Sequence, residues 1–198
     1  MSYITNLKHL EHKNIVLIGA STGGPGQIEK IITSLSDMQN CSIIIAQHLA
    51  RDFVQSFTQR LSTLTHNNVK LIENGTILEC SSIYICCGNT TISKNHNKFS
   101  FNYQVSDIND YNPNINSLFN SFIPYTSELN ILSIIMTGIG NDGVDGCKQL
   151  TLKGAKSITQ SASSAIVDGM PQRAREEVNG IKICDLDGII ENIKDFCK

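Results

Sequence analysis

The segment Asn14-Ile15-Val16-Leu17-Ile18-Gly19-Ala20-Ser21-Thr22-Gly23-Gly24-Pro25 decides the reading of the fold. Residues 15–18 are apolar at every position, without alternation, which suits a strand buried on both faces. Two covered faces imply helices above and below a parallel sheet. Pro25 then stands at a first helical position, and Ile28, Ile31, Ile32 and Leu35 follow at three-to-four spacing. The stretch therefore predicts a strand, a tight glycine turn and an amphipathic helix.

Working outward, the same grammar recurs. Residues 41–46 form a second apolar run, and Phe53, Phe57, Leu61 and Leu64 mark a helical face after it. Shorter strands are predicted at 69–72 and 82–86, separated by an Asn74-Gly75 turn, and the polar tip Lys94-Asn95-His96-Asn97 reads as a hairpin. An Asn/Asp-rich loop at 107–116 runs into a helix marked by Ile115, Leu118, Phe119 and Phe122. Strand 131–136, helix 142–153, a last clear strand at 155–159 and helices at 170–178 and 187–196 complete the pattern. The prediction is a doubly wound α/β domain: a mainly parallel sheet, helices on both faces and a β-hairpin insertion. Residues 14–198 are expected to form this domain and 1–13 an N-terminal leader.

Composition narrows the function. The 198 residues carry 16 Lys plus Arg against 18 Asp plus Glu, a net charge of −2, which excludes a basic nucleic-acid binder. The longest apolar run, 83–87, is far short of the ~20 residues that span a bilayer, so no membrane insertion is expected. The start of the chain lacks the apolar centre of a secretion signal, and a cytoplasmic protein is expected. Seven cysteines (41, 80, 86, 87, 147, 184, 197) include no C-x-x-C pair and sit in or beside apolar runs. They read as buried reduced thiols, and no metal or cofactor is called for.

In such sheets functional residues collect at the carboxyl ends of strands, here Ala20, Gln47 and Thr137. The first end reads Gly19-Ala20-Ser21-Thr22-Gly23, a G-x-S-x-G turn that exposes a serine hydroxyl above a helix amino terminus. Ser21 could equally be a mere helix cap. Gly19 to Gly24 also has phosphate-loop spacing, but Pro25 replaces the lysine that motif requires. At the third end, Gly138-Ile139-Gly140-Asn141-Asp142-Gly143 is a literal G-x-G-x-x-G. That raises a dinucleotide-binding oxidoreductase, although Gln160, Ser161 and Ala162 stand where the ribose-binding carboxylate belongs.

A serine hydroxyl becomes a nucleophile only beside a base. Of five histidines, His9 and His12 precede the first strand, His66 and His96 lie in polar loops, and His48 alone ends a buried strand. The imidazole needs a carboxylate to orient it and to stabilise its transient charge. Asp142 lies at the third strand end, with Asp145 as its competitor; its simpler role would be to cap the following helix. The order Ser21, His48, Asp142 differs from the serine, acid, histidine order of the α/β-hydrolases.

Ile18–Pro25 (I-G-A-S-T-G-G-P), Gln47-His48-Leu49 and Thr137–Gly143 (T-G-I-G-N-D-G) together resemble the catalytic domain of the CheB chemotaxis protein-glutamate methylesterases. Pro113-Asn114-Ile115-Asn116-Ser117-Leu118-Phe119 and Asp168-Gly169-Met170-Pro171 extend the resemblance over nearly all of 14–198. It implies hydrolysis of γ-glutamyl methyl esters on the cytoplasmic domains of methyl-accepting chemoreceptors, with methanol release and, in some relatives, deamidation of receptor glutamines. Ser21 would attack, His48 would carry the proton, Asp142 would orient His48, and the N–H groups of Thr22 and Ile139 would line the oxyanion site. A non-catalytic chemotaxis scaffold would share the fold. Departures are Ile139 in place of the family's methionine, Cys87-Gly88-Asn89-Thr90-Thr91 in place of a P-G-x-x-H-like stretch, and Ser161-Ala162 in place of an acidic pair. Most relatives carry a receiver domain before the catalytic domain. Thirteen residues before the first strand cannot form one, so regulation is expected from a separate protein, from receptor methylation state, or not at all.

Overall fold

The computed structural model describes residues 14–105 and 111–198. The expected leader at 1–13 and part of the polar loop, 106–110, lie outside the described residues. In chain order the strands are β1 (Asn14–Ala20), β2 (Cys41–Gln47), β3 (Asn68–Leu71), β4 (Ser82–Ile85), β5 (Asn89–Asn95), β6 (Lys98–Gln104), β7 (Asn130–Ile135), β8 (Lys156–Gln160) and β9 (Lys182–Cys184). Seven of them form one sheet of order β3-β4-β2-β1-β7-β8-β9, in which every pairing is parallel. The antiparallel pair β5–β6 is the expected hairpin, turning at His96, whose φ is 54°.

The all-apolar β1 is buried on both faces because its side chains divide between two cores. Val16 and Ile18 pack with helices α1 (Gly24–Ser34), α2 (Arg51–Leu64) and α6 (Leu186–Phe196). Ile15 and Leu17 face α3 (Ile115–Phe122), α4 (Val144–Leu152), α5 (Gly169–Glu177) and the hairpin residues Ile92 and Phe101. The doubly wound prediction holds.

Chain order reverses across β1: β2 lies on one side and β7 on the other. This is the topological switch point of the sheet, where the helices after the two strands leave on opposite faces and open a crevice. The hydrogen-bond ladder carries on just past the strand ends. Ser21 N donates to Thr137 O at 2.9 Å, and His48 N donates to Ala20 O at 2.9 Å. Three chain ends predicted to be functional thus lie side by side, with Ser21 in the middle.

Two expectations change. The strand at 155–159 is not the last, because β9 pairs with β8 at the sheet edge. Its three residues are mostly exposed, so neither a buried run nor an alternating pattern announces it. The cysteines are not all reduced thiols: Cys41, at the start of β2, and Cys197, just after α6, form a disulfide across a Cα separation of 5.0 Å. Their 156-residue separation hid the pairing from any local pattern. Cys86 and Cys147 do follow the expectation, and burial pushes both thiols above their ordinary range.

Candidate active site

Ser21 follows β1 in a turn whose next residues begin α1. The cap of that helix is Gly23, in the left-handed region at φ 82°, and no side chain caps it. Ser21 is therefore not a helix cap, and its hydroxyl is turned to His48, with Oγ 3.2 Å from Nδ1. Across the ring, His48 Nε2 lies 2.8 Å from Asp142 Oδ2. With Nε2–H donated to the carboxylate, Nδ1 presents its lone pair to the serine hydroxyl. The side chain of His48 is 13% exposed and that of Asp142 only 1%.

A carboxylate so buried must be fully engaged. Asp142 Oδ2 also accepts from Ile115 N at 2.8 Å, and Oδ1 accepts from Asn116 N at 2.9 Å. It thus sits over the amino terminus of α3, whose orphan amides and positive partial charge suit an anion. The expected alternative, a cap on the following helix, is wrong in its target: α4 begins after Gly143 with no side-chain cap, and Asp142 serves a helix that precedes it in the chain. Asp145 is exposed in the first turn of α4 and is not the partner of His48.

Thr22 and Ile139, expected to offer main-chain donors, flank Ser21. A Cβ placed on Gly138 would stand 2.6 Å from Ser21 Cβ and 2.3 Å from Met170 Sδ, so the turn before Ile139 packs directly on the serine. Among the described residues neither Thr22 N–H nor Ile139 N–H has a hydrogen-bond acceptor. Both carry the unspent donor that an oxyanion site requires.

The roles of several supporting residues were not legible in the sequence. Gln47, 2% exposed, donates through Nε2 to the carbonyls of both Ser21 (2.8 Å) and His48 (2.9 Å). Thr137 Oγ1 donates to Thr22 O at 2.8 Å and accepts from Val167 N at 2.9 Å. Tyr111 stacks on the His48 ring. A polar residue ending an apolar strand was the available signal for Gln47 and Thr137, but Ser21, Thr22 and Val167, which they bond, lie far from them in the chain.

The G-x-G-x-x-G turn has a different explanation from a dinucleotide. Space beside its glycines is filled by the protein itself: Cβ atoms would meet Ser21 at Gly138 and Ile115 Cγ2, 2.5 Å away, at Gly143. Gln160, near where the ribose carboxylate belongs, turns inward and accepts from Thr137 N at 3.0 Å.

The model of the CheB methylesterase family matches residues 16–193. The chain belongs to the CheB methylesterase family. Among curated CheB relatives, a protein-glutamate methylesterase/protein-glutamine glutaminase of Lawsonia intracellularis is 31% identical over 96% of this chain and 55% of its own length. One from Methanosarcina barkeri is 33% identical over 91% of this chain and 51% of its own. The chain spans about half the length of the curated relatives it matches. A crystal structure of the Thermotoga maritima CheB methylesterase catalytic domain superimposes with a TM-score of 0.85 at 28% identity, covering 92% of this chain and 98% of that one. These CheB matches support neither an oxidoreductase nor a dinucleotide site.

Proposed function

We propose that this chain is a serine hydrolase that removes methyl esters from glutamate side chains of chemoreceptor cytoplasmic domains, releasing methanol. The observation that carries the reading is the hydrogen-bonded series Ser21, His48, Asp142 at the switch point of a CheB-family fold. Residues 14–198 are its catalytic domain and its place of action is the cytoplasm, where the receptor helices lie.

Ser21 Oγ attacks the γ-carbonyl carbon while its proton passes to His48 Nδ1. Asp142 meets the imidazolium charge through Nε2–H. The oxyanion of the tetrahedral intermediate takes hydrogen bonds from Thr22 N–H and Ile139 N–H, donors typically worth 10²–10³-fold each. His48 returns the proton to the methoxy group, methanol leaves, and water activated by the same imidazole hydrolyses the glutamyl-serine ester. A glutamine substrate follows the same course with ammonia leaving. The named activities of the Lawsonia and Methanosarcina relatives include both reactions.

Methanol release from purified methylated receptors tests this. The wild-type chain is expected to release methanol, and Ser21→Ala to lose roughly 10⁴–10⁶-fold in kcat. Unchanged turnover in Ser21→Ala overturns the assignment. Receptor binding without methanol release would mark a scaffold instead.

A further inference from the structure

Two hydrogen bonds fix two points of the His48 ring. The Cβ–Cγ bond tethers a third, and a contact on the face of the ring limits how far the imidazole can rock out of that arrangement. Tyr111 touches it, with ring centroids 4.9 Å apart and planes within 8° of parallel. The backbone that bears Tyr111 is fastened beside the histidine. Leu49 N donates to Asn112 O at 3.1 Å, Asn112 Nδ2 donates to Leu49 O at 3.0 Å, and Gly88 N donates to Asn112 Oδ1 at 2.7 Å. A few residues on, Ile115 N and Asn116 N hold Asp142. The stretch 111–116 therefore supports the face of the imidazole and the carboxylate at its edge together. Tyr111 is still 46% exposed, and its hydroxyl lies 3.2 Å from where a Cβ on Gly140 would stand, beside the turn that carries Ile139.

We propose that Tyr111 is a positioning residue for the Ser21 reaction. Its ring plates one face of His48, holds the imidazole in line with Ser21 Oγ and Asp142 Oδ2, and stabilises the imidazolium that forms as Ser21 gives up its proton. The inference rests on His48 being the base for Ser21. An aromatic face is negative in its quadrupole, so it favours the cationic ring over the neutral one. Its contribution therefore grows toward the transition state. A planar ring is needed and the hydroxyl is not.

Two readouts on the full chain test this. One is methanol release from a peptide carrying a γ-methyl glutamate. The other is the rate at which a fluorophosphonate labels Ser21, with fluoride leaving, which needs no receptor contact. Tyr111→Phe should stay within about twofold of wild type, whereas Tyr111→Leu and Tyr111→Ala should lose about tenfold in kcat and in labelling rate, with KM moved less than about threefold. Leucine keeps the apolar bulk and removes only the flat face. Tyr111→Leu matching Tyr111→Phe overturns the inference, as does a loss confined to KM. Ser21→Ala separates the two levels. If it is not labelled and Tyr111→Leu reacts at the wild-type rate, the role of Tyr111 alone fails; if it is labelled like wild type, the nucleophile itself is misassigned.

Discussion

The two rims of the same sheet treat their polar groups in opposite ways. At the amino-terminal rim, Asn14 Nδ2 donates to Phe196 O at 2.8 Å, Asn130 Nδ2 donates to Asn14 Oδ1 at 3.0 Å, and Ser42 Oγ donates to Glu79 O at 2.8 Å. Nearby, Ser133, Ser157 and Thr151 bond one another through their hydroxyls, and Cys41 is tied to Cys197. These contacts close the fold on itself. At the carboxyl rim, Thr22 N–H and Ile139 N–H are unspent among the described residues, a hydroxyl faces a largely buried imidazole, and Ile139 and Ile166 stand 64% and 65% exposed. Strand direction makes the difference. Strands β1, β2, β7, β8 and β9 each run on to a helix, so amide donors converge on one rim, while the other rim receives spent chain ends. Binding energy is thus held in reserve at one edge and consumed in stability at the other.

That contrast can be broken or sharpened by substitution. Beyond Ser21→Ala, Asp142→Asn should cost roughly 10³–10⁴-fold in kcat by offering His48 the wrong tautomer. A loss under about tenfold would show that the carboxylate serves α3 alone. Asp142→Ala should add a stability loss of ~1–3 kcal/mol in denaturant unfolding, because Ile115 N–H and Asn116 N–H lose their acceptor. Acidification comes next. A base that must accept a proton is disabled once already protonated, so kcat/KM should fall by about tenfold per pH unit on the acid side. A flat acid limb would remove His48 from the proton path. The smallest effect belongs to the opposite rim: Asn14→Ala should lower stability by ~1 kcal/mol while leaving methanol release unchanged. Lost activity there would mean that the rims are coupled.

Much of this was legible in the linear chain, for particular reasons. The buried run of β1 and the three-to-four spacing of Ile28, Ile31 and Ile32 are local signals, read off at the correct places. Ser21, His48 and Asp142 each carried a local mark, a glycine turn or a strand end. Gln47 carried only its place at a strand end, with nothing to say what it bonds, and Tyr111 carried no local mark. The work of Gln47 is to join two carbonyls from adjacent strand ends, and that of Tyr111 is to lie on a ring 63 positions earlier in the chain. The short edge strand β9 exists only because β8 offers it a ladder.

The order of amino acids by itself determined the alternation of buried strands and amphipathic helices, because hydrophobic periodicity acts over a few residues, and it determined which three strand ends carry a hydroxyl, an imidazole and a carboxylate. Only the tertiary structure decided that these ends are neighbours, that Asp142 rests on α3 rather than α4, and that Cys41 meets Cys197. Each of those outcomes depends on sheet order and helix placement, which are set by packing between segments far apart in the chain.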